Sequence, residues 1–170
     1  MLNFDLNGIG ILVLRIAIAY IYLHGVFMIG STKNRRSIAI KRTGILFRDL
    51  EGGRYYSLLT NFSFFSAVSL MSLGSLLILS GFSIKIGALM LIIFTIPAII
   101  VHKRESVKSH LLAEKIKKYS NDTIHEDLQL LANFSHAGHR SSGNKNYMLL
   151  AVNVYLYLMD NTIGFINIFI

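Results

Sequence analysis

The chain is 170 residues long, 53% hydrophobic and only 15% charged, with a mean hydropathy of +0.53. Soluble domains carry about 25% charged residues, so this balance argues against a soluble domain and for a handful of membrane spans joined by loops. The 17 Lys and Arg against 9 Asp and Glu come without an aromatic–basic motif for nucleic acid, and the lack of cysteine excludes disulfides, thiolate metal sites and thiol–disulfide chemistry.

Four segments approach the roughly 20 apolar residues needed to cross a bilayer core of about 30 Å. They predict an all-α integral membrane four-helix bundle. The first segment covers residues 8–29 and contains Arg15 and His24. Asp5 precedes it and Arg15 interrupts it, so it reads as a retained span and not as a cleavable signal. The second, residues 62–82, has no charge. Ser66, Ala67, Ser69, Ser72, Gly74 and Ser75 crowd it with small side chains, which let membrane helices approach closely. A tight turn, Gly81-Phe82-Ser83-Ile84-Lys85, leads into the third span at 86–102. There Ala88, Leu91, Thr95, Ala98 and His102 share a face, and Pro97 predicts a bend.

Residues 103–146 are expected to form a helical cytoplasmic loop insertion between the third and fourth spans. Val107, Leu111, Leu112, Ile116 and Tyr119 recur at helical spacing. A second short helix is expected after Thr123 and Glu126, which have capping-box spacing. Such basic amphipathic helices either lie on an anionic membrane surface or pack on each other as a cap. The fourth span covers 147–170.

Basic residues set the expected orientation. The loop at 31–61 holds Lys33, Arg35, Arg36, Lys41, Arg42, Arg48 and Arg54. The stretch at 103–146 holds Lys103, Arg104, Lys108, Lys115, Lys117, Lys118, Arg140 and Lys145. Only Lys85 lies on the opposite side. Fifteen against one predicts an inner-membrane protein with both basic loops cytoplasmic and both termini outside.

Ionisable groups at membrane depth mark functional or pairing sites. Arg15 and Asp160 lie fourteen and thirteen residues from the cytoplasmic ends of their spans, about 20 Å up at 1.5 Å per residue. An ion pair or a shared polar pocket follows, or a pair that only holds two helices in register. Asn153, Tyr157, Asp160, Gly164 and Asn167 form a polar stripe on the fourth helix, opposite Leu150, Val154, Leu158 and Ile168. That stripe must face the bundle. It serves as interhelical glue, the favoured reading, or lines a small-molecule cavity. His24 and His102 lie towards the cytoplasmic ends of their spans. Haem ligation by the two is disfavoured, because His24 and Arg15 point to different sides of one helix. His136 and His139, in a Gly/Ser-rich stretch read as a loop, make too small a ligand set for a metal.

Several of these segments resemble the DoxX/DoxD-like family of small four-span membrane proteins. They are Leu14-Arg15-Ile16-Ala17-Ile18-Ala19-Tyr20, Leu23-His24-Gly25, the Gly74–Phe82 segment with Lys85, Pro97 with His102, and Lys145-Asn146. Met28, the uncharged second span and the 44-residue stretch at 103–146 depart from the family pattern. The resemblance implies a membrane subunit of quinone-linked redox chemistry, with no intrinsic cofactor and a soluble redox partner on the cytoplasmic side. Arg15, His24, His102, Asn153, Tyr157 and Asp160 would then line a pocket for a quinone. Arg15 would polarise a quinone oxygen, and a histidine would exchange protons. The alternative expectation is a non-catalytic scaffold, receptor or small-solute carrier that docks partners through its basic loops.

Overall fold

The computed structural model describes residues 6–119 and 123–159, which form five α-helices, one 3-10 segment and no strand among the described residues. Helix α1 spans Leu6–Gly30, α2 Lys33–Thr43, α3 Tyr56–Ser80, α4 Ile84–Tyr119 and α5 Thr123–Leu158, with the 3-10 segment Gly44–Leu50 between α2 and α3. Three of these, α1, α3 and α4, are long and apolar enough to cross a membrane. Val13, Ile16, Phe27, Phe62, Phe65, Leu73 and Ile93 are exposed on their outer faces, where apolar side chains suit lipid. Ile18, Tyr22, Met71, Ile78, Leu91 and Leu156 pack together inside.

Small residues set the crossing of α3 and α4. A Cβ added at Gly87 would lie 2.7 Å from the Gly74 carbonyl oxygen, so only glycine allows this approach. Gly74 and Ser75 of the predicted small-residue cluster are buried, whereas Ser69 is exposed. The turn between the two helices opens on Gly81, whose φ of 73° lies in the left-handed region that ends a helix without a side-chain clash.

The region after the third predicted span differs from expectation. It is not a separate insertion of short helices. Instead α4 and α5 are each one continuous 36-residue helix, about 54 Å long, and they run antiparallel as a hairpin. Lys103 and Arg104 end the apolar window but not the helix, because Lys and Arg are good helix formers. Small buried residues, Ser106, Ser109 and Ala113 on α4 and Ala132 on α5, hold the two helices together beyond that point. The helix also continues through Pro97. Of the fourth predicted span, the described part is helical to Leu158, while Asp160, Gly164, Asn167 and Ile168 lie outside the described residues.

Helix α2 lies inside the first basic loop, where no helix was expected. Thr32 caps it, its hydroxyl accepting from the Arg35 N–H at 3.2 Å. Arg35, Arg36, Lys41 and Arg42 are thereby set on a rigid element beside the ends of α1 and α3.

Candidate functional site

Arg15 is only 1% exposed. Its Nε donates to the Ile78 carbonyl at 2.8 Å and its Nη2 to the Leu79 carbonyl at 3.0 Å. Helix geometry explains the placement. Side chains tilt towards the N-terminus of their helix, so Arg15 reaches away from the basic end of the bundle, to where α3 stops. The last carbonyls of α3 have no intrahelical donors and carry the negative end of the helix dipole. A guanidinium with five donors fits that need. The expected carboxylate partner, Asp160, lies outside the described residues.

A second polar group is buried at mid-bundle. Asn153 Nδ2 donates to the Tyr22 hydroxyl at 2.8 Å, and that hydroxyl lies 2.7 Å from Thr95 Oγ1. Thr95 Oγ1 in turn donates to the Leu91 carbonyl at 2.5 Å. Since a carbonyl only accepts, Thr95 has used its proton, and Tyr22 must donate to Thr95. Asn153 must then present its amide nitrogen to Tyr22, so the amide orientation follows from the network. This chain ties α1, α4 and α5 at one level.

Between this network and the basic end lies a cavity of about 720 Å³ with lining from all five helices. Tyr22, Met28, Phe64, Met71, Phe94 and Leu149 make its apolar part. Arg35, Arg42, Lys145 and His102 also line it, and no Asp or Glu among the described residues does. Arg35 donates to the Ser31 hydroxyl at 3.0 Å and to Met28 sulfur at 3.5 Å, both neutral acceptors.

From His102 a polar seam runs along the α4–α5 hairpin. His102 Nδ1 and His139 Nδ1 are 3.3 Å apart, so one donates and the other accepts. Nε2 of His139 faces Glu105 at 3.8 Å, which favours the proton there and leaves its Nδ1 to accept. Burial lowers the His139 pKa, Arg42 adds to this, and Glu105 opposes it. Further along, His136 Nδ1 donates to the Ser106 carbonyl at 2.8 Å, and Ser109 meets Ser135 at 3.0 Å. His136 and His139 thus sit on a helix and not in a loop, each engaged with α4. No cluster of three or more His, Cys, Asp or Glu suited to a metal occurs among the described residues.

The predicted site residues are therefore divided. Asn153 joins the buried network, and His102 joins the cavity. Arg15 is at the opposite end of the bundle. His24 is exposed and stacks on Tyr20 at 5.7 Å, because it is about 200° around α1 from the inward-facing Tyr22. Tyr157 is 40% exposed, since the buried face of α5 runs Leu149, Asn153, Leu156 and passes one position to its side. Sequence reasoning missed Tyr22, Thr95, Arg35, Arg42 and Lys145. Tyr22 was accessible to it: seven residues after Arg15, it shares the inward stripe of α1.

No known protein family, curated protein or solved structure matches the chain.

Proposed function

We propose that the chain is a multi-pass membrane protein that holds a lipophilic ligand among its helices, as a carrier, receptor or binding subunit and not as a self-contained enzyme. The cavity carries this reading. Its 720 Å³ fall within the roughly 300–1,000 Å³ usual for small-molecule sites, and it combines an apolar body with polar groups at one end. Helices α1, α3 and α4 and the end of α5 would cross the bilayer. The surplus of basic residues would place the cavity mouth and the projecting α4–α5 hairpin on the cytoplasmic side.

A second reading makes the ligand a quinone and the chain a redox-linked subunit with a soluble partner, as the DoxX/DoxD-like resemblance implies. The His102–His139 contact favours it, because His102 lines the cavity and its hydrogen bond to His139, which faces Glu105, offers a route for a proton between a bound quinone and the seam.

The test is to purify the full chain in mild detergent, extract what is retained and record its absorption spectrum. A lipophilic molecule should remain bound in near-stoichiometric amount, and Ala98→Phe, which fills the cavity, should release it while circular dichroism stays unchanged. Equal retention by both proteins would overturn the reading. A bound quinone would establish the second one.

A further inference from the structure

The cavity mouth has a charge pattern that narrows the ligand. Arg35 and Arg42 come from α2, Lys145 from α5 and His102 from α4, so three helices bring positive or protonatable groups to one opening. Arg42 and Lys145 both lie close enough to His102 for their charges to act on it. Neither has a carboxylate partner among the described residues. Acidic residues are available nearby in sequence, Asp49 and Glu51 among them, yet they line a different groove, beside Arg48 and Lys103. Glu105 faces His139 behind His102 and does not line the cavity, so the cations that do line it repel one another. An anion at the mouth would relieve that repulsion and would receive charge-assisted hydrogen bonds from both guanidinium groups.

The apolar part sets the other half of the ligand. Below the cations the lining is Met28, Ile29, Phe64, Met71 and Phe94, which offers nothing to a free inorganic anion but suits an alkyl chain. Resting on the cavity reading above, we propose that the occupant is a lipid with an anionic headgroup. Its phosphate or carboxylate sits between Arg35, Arg42 and Lys145, and its chain runs towards Phe94 and Met71. The mouth thereby selects anionic lipid from the bilayer by charge. The Tyr22–Thr95–Asn153 network closes the inner end with both hydroxyls and the Asn153 amide nitrogen hydrogen-bonded, while Asn153 Oδ1 is buried there without a hydrogen-bond partner among the described residues.

The full chain in detergent is mixed with phosphatidylglycerol or with phosphatidylcholine of the same acyl chains, and bound lipid is counted by native mass spectrometry. Phosphatidylglycerol should bind about tenfold more tightly, the effect of one charge-assisted contact. Arg42→Gln with Lys145→Gln should remove that preference. Lys108→Gln with Lys115→Gln removes the same formal charge from α4 outside the cavity and should preserve it. Both pairs are exposed, and circular dichroism verifies that they fold. An unchanged preference in the first pair, or an equal loss in the second, overturns the proposal. Displacement of the lipid by millimolar inorganic phosphate would show a site for free anion and also overturns it. If Ala98→Phe still displaces a neutral lipid or quinone but no anionic preference exists, the headgroup assignment alone fails. If Ala98→Phe affects no ligand, the cavity reading fails with it.

Discussion

Replacing Arg15 by Met keeps the aliphatic stem and removes the guanidinium that closes the end of α3. Two bonds to a charged group are lost, from Nε to the Ile78 carbonyl and from Nη2 to the Leu79 carbonyl. Such bonds contribute about 1.5–3 kcal/mol each. Relief of the desolvation penalty on a buried charge offsets part of the loss, so about 3 kcal/mol of destabilisation is expected. Ile78 retains the Gly81 N–H at 3.3 Å as a second donor, whereas Leu79 loses the donor identified for it. Arg15→Lys separates charge from geometry. An ammonium restores the cation but is a point donor that does not reproduce the planar fork, so about half the loss should remain. Reversible unfolding in mixed micelles, followed by circular dichroism, measures both variants. A Met variant within about 0.5 kcal/mol of the parent, the range of ordinary surface substitutions, would refute the assignment of Arg15 as the structural cap of α3.

Gly81→Ala should destabilise by about 1–2 kcal/mol from its left-handed φ of 73° alone, and combined with Arg15→Met the losses should not add, since the new methyl would also collide with the guanidinium. Gly87→Ala should cost about 1–3 kcal/mol by overpacking against the Gly74 carbonyl, while Gly25→Ala, with open space at its Cβ, should be near neutral or stabilising in the same unfolding assay. Tyr22→Phe strands the Asn153 amide and should cost about 1–3 kcal/mol, with a double-mutant cycle against Asn153→Leu giving a coupling of about 0.5 kcal/mol or more. His139 has its folded pKa depressed by burial and by Arg42 against Glu105, so the unfolded chain binds its proton more readily. The associated stability is present above about pH 6.5 and falls as pH drops below it, and His139→Gln should flatten unfolding midpoints measured between pH 5 and 8, about the range in which histidine titrates.

Apolar runs made α1, α3 and the first half of α4 legible from sequence, because a span of lipid width leaves a hydropathy signal whatever it packs against. Such a signal measures where lipid-compatible residues stop, not where hydrogen-bonded backbone stops. The extension of α4 past His102 was therefore read as a separate insertion. Helix α2 was missed for a related reason. Four of its eleven residues are Arg or Lys beyond Lys33, and its order comes from the Thr32 cap and from packing against neighbouring helices. Arg15 was recognised as a buried charge needing compensation, but pairing arguments from sequence count only side-chain charges. The carbonyls at the end of α3 are invisible to that count, although Gly81 marks the place where they become free. The cavity cations were visible singly and gave an orientation signal. Their convergence depends on α2 folding back against α1, α3 and α4, which no periodicity reveals.

The distribution of charge links these two ends of the molecule. Residues 31–61 and 103–146 together hold 15 Lys and Arg against 7 Asp and Glu, which accounts for the entire +8 of the chain. The remainder has Arg15 and Lys85 against Asp5 and Asp160 and is neutral. A segment that crosses lipid has to be neutral or internally compensated, because hydrocarbon offers no counter-charge. The basic segments face no such limit, and their surplus attracts anionic headgroups. On most of that surface the attraction is diffuse, since exposed charges are screened over about 8–10 Å at physiological salt. At the cavity mouth, Arg35, Arg42 and Lys145 adjoin a space that no acidic side chain among the described residues lines and that opens onto an apolar interior. There the surplus becomes directional, and a general affinity for an anionic surface turns into selection of one molecule from it.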